Sequence, residues 1–141
     1  MMQVDGMALT EIKARSISRG KATGEALMSP EPIGFLGGVD PATGIVIENG
    51  HPLQGRCISG KVLVFPNGKG STVGSYVMLQ LAKNKKAPAA IINVSAEPII
   101  AVGAIISHIP MVDKTEKDVY SILKDGMKVT VDGDKGAIII S

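Results

Sequence analysis

A chain of 141 residues with net charge +2, 45% hydrophobic and 3% aromatic residues and no tryptophan is the size of one domain, with a core of Ile, Val, Leu, Ala and Met. No apolar run reaches the roughly 18 to 20 residues of a helical membrane span, and the charge is spread without a basic stripe, which argues against a membrane or a nucleic acid as partner. The one cysteine, Cys57, and two distant histidines, His51 and His108, can build neither an internal disulfide nor a closed zinc or iron–sulfur site, so a metal used by this protein would be carried by another chain.

The first ten residues, MMQVDGMALT, show no signal-peptide pattern and read as a loose leader, with the cytoplasm as the expected location. Alternation at Ile12, Ala14, Ile17, Ala22 and Ala26 predicts two strands joined around Arg19-Gly20. Residues 33–36 read as a short strand ended by Gly37-Gly38, and residues 45–47 as another after the turn at residues 40–44, where Asp40 caps nearby backbone. His51 reads as a surface loop residue and Cys57 as a small packing residue.

Residues 61–65, KVLVF, read as a buried strand stopped by Pro66-Asn67-Gly68. Gly70-Ser71-Thr72 then opens a helix, with Ser71 or Thr72 suited to the N-cap, an apolar face at Val73, Tyr76, Val77 and Leu81, and lysines 83, 85 and 86 near its end. A hydroxyl on a glycine-flanked turn at a helix start lies among free backbone N–H groups, which can hold an anion or an oxyanion. A Ser-Thr pair there also reads as a plain cap. No GKS or GKT closes the turn and GxGxxG is absent, so the glycines match no nucleotide-binding loop.

Residues 89–94, AAIINV, form an apolar run interrupted only by Asn93, as in a strand buried on both faces. Strand, helix and strand make a parallel βαβ unit. The unit repeats through a helix opened by Ser95-Ala96-Glu97-Pro98, with a face at Ile99, Ile100, Val102, Ala104 and Ile105, and a strand at residues 109–112. The loops at residues 66–72 and 93–98 both follow the carboxyl ends of parallel strands, the edge where open α/β sheets bind ligands, so Ser71, Asn93 and Glu97 are expected to face one pocket. A short helix at Val119, Ile122 and Leu123 follows, and a hairpin at residues 127–140, turning at Asp132-Gly133-Asp134-Lys135-Gly136, ends the chain.

The pattern is α/β: a parallel βαβαβ centre flanked by antiparallel strands and a C-terminal hairpin in one domain, similar to the swivelling β/β/α fold. The last third is similar to mobile phosphohistidine domains, but these need a histidine at the start of the second helix. Here that place reads Ser95-Ala96-Glu97 and His108 lies at the other end, which disfavours a phosphohistidine carrier.

The runs GGVDPATGIVI, FPNGKGSTVGSYVMLQL, APAAIIN and AEPIIAVGAIISHIPMVD resemble, in that order, the small swivel subunit of the aconitase X family, and the likeness spans residues 11–141. The length suits a free-standing small subunit. The resemblance implies a hydro-lyase that dehydrates (R)-5-phosphomevalonate to trans-anhydromevalonate 5-phosphate, on a modified mevalonate route to isoprenoids. It implies a large partner subunit carrying a [4Fe–4S] cluster, and no cofactor in this chain. The serine matching the family's base is Ser71. Lys69, Gly70, Thr72, Asn93, Glu97 and Arg19 are the accompanying candidates for holding the phosphorylated hydroxy acid or lowering the serine's pKa. Two alternatives stay open: a dehydratase of another hydroxy acid, such as a hydroxyproline, and a non-enzymatic swivel module that binds a phosphorylated ligand.

Overall fold

The computed structural model describes residues 10–70 and 72–140; Ser71, Ser141 and residues 1–9 of the expected leader lie outside them, and Thr10 already belongs to a strand. In chain order the described elements are β1 (Thr10–Lys13), β2 (Arg15–Ser18), β3 (Lys21–Met28), β4 (Val62–Phe65), α1 (Gly74–Lys83), β5 (Ala90–Asn93), α2 (Pro98–Ile106), β6 (Met111–Asp113), α3 (Val119–Ile122), β7 (Lys128–Asp132) and β8 (Ala137–Ile140). The strand order is β1-β8-β7-β3-β4-β5-β6-β2. None of the described helices is long and apolar enough to cross a membrane.

The parallel centre is as the sequence predicts. β4, β5 and β6 are hydrogen-bonded side by side in parallel, each β-rich apolar run closed by the loop that starts the next helix. Their side chains alternate between two cores. Leu63, Phe65, Ile91 and Met111 face α1 and α2, whereas Val62, Val64, Ala90, Ile92 and Val112 face Val129, Val131, Ile138 and Ile12 of the antiparallel strands. The β7 strand thus lies over β4, β5 and β6, giving three layers, β/β/α. Full burial of each such side chain contributes about 1.5–3 kcal/mol.

β3 joins the two β layers. Its first five residues, Lys21 to Glu25, pair antiparallel with β7, and Ala26, Leu27 and Met28 pair in parallel with β4. This corrects the N-terminal expectation. Three strands form instead of two, and those flanking Arg19-Gly20 are not partners: β2 pairs antiparallel with β6 at the far edge, while β1 pairs with β8. Alternation shows that a segment is extended but not which strand it joins.

The segment between β3 and β4 also departs from the prediction. Residues 33–36 and 45–47 form only isolated bridges, Ile33 to Gly68, Val39 to Val46 and Ile45 to Cys57. It is a compact loop anchored by Phe35, Val39, Val46, Leu53 and Ile58, all buried against the helix-side core. His51 is buried within it at 5% exposure. Its Nε2 faces the Pro32 carbonyl oxygen at 3.0 Å and its Nδ1 accepts the Leu53 N–H at 3.0 Å, so the ring ties two turns of the loop together. Cys57, read as packed, is exposed. Asp40 accepts from the Ala42 N–H at 3.0 Å and from the Thr43 hydroxyl at 3.1 Å, as its turn position predicts.

Candidate active-site edge

α1 begins at Gly74 with Val73 at its N-cap position, so Thr72 sits in the preceding turn and not at the cap. The buried face is Gly74, Val77, Met78 and Leu81, one position on from the predicted stripe, which leaves Val73 46% and Tyr76 61% exposed. Of the lysines, Lys83 alone is inside the last turn. α2 has Pro98 at its first position and Glu97 as its N-cap, the carboxylate accepting from the Ile99 N–H at 3.0 Å and the Ile100 N–H at 2.8 Å. Its buried side is Ile100, Gly103 and Ala104, while Val102 and Ile105 of the predicted face are about half exposed.

The two helix starts flank a cleft of about 320 Å³ lined by Thr72, Ser75, Pro98, Ile99 and Val102. It lies at the carboxyl edge of the parallel strands, where the loops after β4 and β5 meet. Those loops are bonded to each other: the N–H groups of Val94 and Ser95 both donate to the Pro66 carbonyl, at 3.0 and 3.2 Å. Gly68 comes so close to α2 that a Cβ there would collide with Ile100 and with the Glu97 carboxylate. Across the cleft, the Ser75 hydroxyl donates to the Ile99 carbonyl oxygen at 2.6 Å.

The expected site residues divide accordingly. Ser71 lies outside the described residues; its neighbours do not. Gly70 has φ +93°, a backbone conformation that L side chains avoid, and Thr72 lines the cleft. Glu97 stands at the rim with its carboxylate committed to the α2 cap. Asn93 is fully buried beneath the loops, its side-chain N–H donating to the Phe65 carbonyl at 3.0 Å, and its Oδ1 has no hydrogen-bond partner among the described residues. Lys69 turns toward the β3–β4 loop and pairs with Glu48 at 2.8 Å.

Arg19 is not brought to this edge. It lines a second cavity, of about 350 Å³, with Ile17, Ser18, Ile105 and His108. Ser18 pairs with Met111 at the start of β6, and His108 follows the end of α2, so that cavity sits at the amino edge of the parallel strands.

Sequence reasoning missed a different arginine. Arg15 pairs with Asp113 at the carboxyl end of β6, its Nε and Nη2 donating to the two carboxylate oxygens at 2.9 and 2.8 Å. Asp113 is fully buried and also accepts the Ala96 N–H at 2.7 Å, one residue before the Glu97 cap. The hydrogen bond to Asp113 first, and then its charge, raise the Arg15 pKa, keeping the guanidinium charged. The available signal was an acid directly after the apolar run of a strand whose carboxyl end faces the ligand edge.

Electrostatically the two helix starts differ. The α2 end is already met by the Glu97 carboxylate, whereas α1 carries no acidic residue in its first turn. The partial positive charge of the α1 N-terminus is therefore available to an anion or an oxyanion held at the Gly70–Thr72 turn. Among the described residues no group of three or more His, Cys, Asp or Glu could hold a metal ion. The donors among the described residues do not fit an iron–sulfur cluster.

Comparison with known proteins agrees with this architecture. The family model of the aconitase X swivel domain matches residues 11–140. The phosphomevalonate dehydratase small subunit of Methanosarcina mazei is 66% identical over 128 residues, which cover 91% of this chain and 89% of that protein. Its counterpart from Methanothermobacter thermautotrophicus is 61% identical over 128 residues, covering 91% of this chain and 98% of that protein. The crystal structure of the holo-form of Thermococcus kodakaraensis aconitase X superposes with a TM-score of 0.89 at 57% identity, covering 94% of this chain and 98% of that one. The chain belongs to the aconitase X swivel-domain family.

Proposed function

We propose that this chain is the small subunit of a phosphomevalonate dehydratase, a hydro-lyase that removes water from (R)-5-phosphomevalonate to give trans-anhydromevalonate 5-phosphate, with Ser71 as the base. The observation that carries the reading is Thr72, next to Ser71 in the sequence, on the wall of the cleft between α1 and α2, in a chain whose relatives bear that enzyme's small-subunit name. The [4Fe–4S] cluster that the family likeness implies is assigned to the large subunit, because the donors described in this chain do not fit it.

Dehydration of a β-hydroxy acid takes a weakly acidic proton from the carbon beside the carboxylate while hydroxide leaves the next carbon. The task assigned to this chain is the proton. A serine hydroxyl is a weak base unless its alkoxide is stabilised by donors that are already in place. Backbone N–H groups of the glycine-marked turn and the α1 N-terminus, which has no acid in its first turn, are suited to that work. Thr72 on the cleft wall is placed to contact substrate, whereas Lys69 would have to leave Glu48 to do so.

The test is to co-express the chain with its large subunit, reconstitute the complex and assay water loss from (R)-5-phosphomevalonate. Ser71→Ala is expected to lower kcat by about 10²–10⁴-fold, the usual contribution of a general base. A Ser71→Ala complex as fast as the parent refutes the base assignment. A parent complex that is inactive on 5-phosphomevalonate but dehydrates another hydroxy acid refutes the substrate.

A further inference from the structure

The Arg15–Asp113 pair is unusual among the ion pairs of this protein. Among the described residues each of the other three pairs, Lys61–Glu25, Lys69–Glu48 and Lys135–Glu11, has both side chains at least 31% exposed. Asp113 is completely buried and its partner half exposed. A buried carboxylate is tolerated only when its oxygens are met by donors. Here three N–H groups converge on it: Nε and Nη2 of Arg15 and the main-chain N–H of Ala96. Arg15 comes from the edge strand β2 and Ala96 from the loop after β5, so one side chain joins β2, β6 and the entry to α2.

That entry is the segment on which the candidate site rests. Ala96 precedes Glu97, whose carboxylate caps α2 and lies against Gly68 of the loop after β4. Lys114, next to Asp113, donates its N–H to the Val94 carbonyl at 3.1 Å, and Val94 in turn donates to Pro66 at 3.0 Å. From Asp113, hydrogen bonds through Ala96 and through Lys114 and Val94 lead to the Pro66 carbonyl, and Glu97 and Ile100 press on Gly68, so the clamp reaches the loop after β4.

We infer that Asp113, clamped by Arg15, is a positioning residue that holds the loop after β5, and through Glu97 and Gly68 the loop after β4, in the arrangement needed for proton removal at this edge. It touches neither substrate nor the reacting atoms. Asn in place of Asp113 retains size but presents an N–H₂ at one of the two oxygen positions, so the clamp loses either the Nε contact at Oδ1 or both the Nη2 and the Ala96 contacts at Oδ2. A displacement of about 1 Å at a reacting group can lower the rate by about 10²-fold. The inference rests on the dehydratase reading only for its kinetic consequence.

The experiment therefore has two arms. In the complex with the large subunit, Asp113→Asn and Arg15→Lys are each expected to lower kcat by about 10–100-fold with KM changed by less than about threefold. Glu25→Gln, which breaks an exposed pair remote from this edge, is the control and is expected to keep the parent kcat. Amide hydrogen exchange of the same complexes is the second arm and needs no substrate. Asp113→Asn is expected to speed exchange at Ala96 and in the loop after β4 by at least about tenfold, with the amides of β7 and β8 unchanged. Unchanged kcat, or a KM rise that accounts for the whole loss, overturns the inference, as does unaltered exchange at Ala96. If Asp113→Asn fails to fold, Arg15→Lys carries the test on its own, because it keeps the charge and the buried carboxylate but not the two-point contact. Were the complex to act on a different hydroxy acid, the dehydratase substrate would be wrong and the exchange arm would still decide the clamp.

Discussion

Replacing Gly68 by alanine tests the contact on which the edge depends. A Cβ at this position would collide with Cγ1 and Cδ1 of Ile100 and with an oxygen of Glu97. Ile100 is 2% exposed within the helix-side core, and the Glu97 carboxylate is held by two N–H groups of α2. Forcing one extra carbon into a filled site costs about 1–3 kcal/mol. Displacing the cap adds about 1 kcal/mol, while the stiffer unfolded chain returns about 0.4–1 kcal/mol. The net expectation is a loss of about 1–3 kcal/mol, which at roughly 4 °C per kcal/mol for a chain of this length lowers Tm by about 4–12 °C. Calorimetry on the parent, Gly68→Ala, Ile100→Ala and the double variant measures it. Ile100→Ala alone leaves a cavity and costs about 2–5 kcal/mol, but it removes the atoms that collide. The double variant should thus be more stable than the two single losses predict, by about 1–2 kcal/mol. A Gly68→Ala protein within about 1 °C of the parent, or strictly additive losses, would falsify the reasoning that the loop after β4 is pressed against α2.

Two further outcomes follow from local geometry. Gly70→Ala should lose about 1–3 kcal/mol in urea unfolding through backbone strain, since φ is +93° and no atom of the described residues lies near the added Cβ; an unchanged midpoint would mean that Gly70 is not held in that conformation. Tyr120, whose hydroxyl donates to the Ser29 carbonyl at 2.6 Å, has its pKa pushed up to about 12, by burial first and then by the charge of Asp118. The folded protein favours the protonated phenol, so this stabilisation is complete below the unfolded value near 10 and disappears as pH rises from about 10 to 12. Tm measured across that window should fall less steeply for Tyr120→Phe than for the parent, and parallel curves would sink the assignment.

The centre of the fold was legible because its signals are local. Residues 62–65 and 90–92 are apolar on both faces, and in a chain of this length such runs belong in a covered parallel sheet with a helix between them. The parts that were misread depend on distant partners. Nothing near Ile17 says that β2 will pair with β6 across the sheet while β3, two residues later, pairs with β7 and β4. His51 looked like a loop residue because it stands beside Pro52; what buries it is the pairing of its ring with Pro32 and Leu53. The same limit explains the two arginines. Both lie in polar surroundings near the N-terminus, and only the register of β2 on β6 puts Arg15 at the carboxyl edge beside Asp113 and sends Arg19 to the other.

Glu97 shows how a residue legible as a site candidate can serve the site indirectly. A carboxylate at the rim of a cleft suggests contact with substrate, yet both of its oxygens accept N–H groups of α2. Freeing it would expose two unsatisfied donors and relax the contact with Gly68, so its commitment to the cap is also what keeps the loop after β4 in place. That commitment determines which helix start can take an anion. An anion approaching α2 would meet a negative charge already seated on its first N–H groups, whereas α1, with no acid in its first turn, opposes nothing. On the proposed reading, the negative charge that develops on the serine oxygen and on the substrate is therefore directed to the α1 side of the cleft. That is the side lined by Thr72 and Ser75, with Pro98, Ile99 and Val102 of α2 forming the wall opposite.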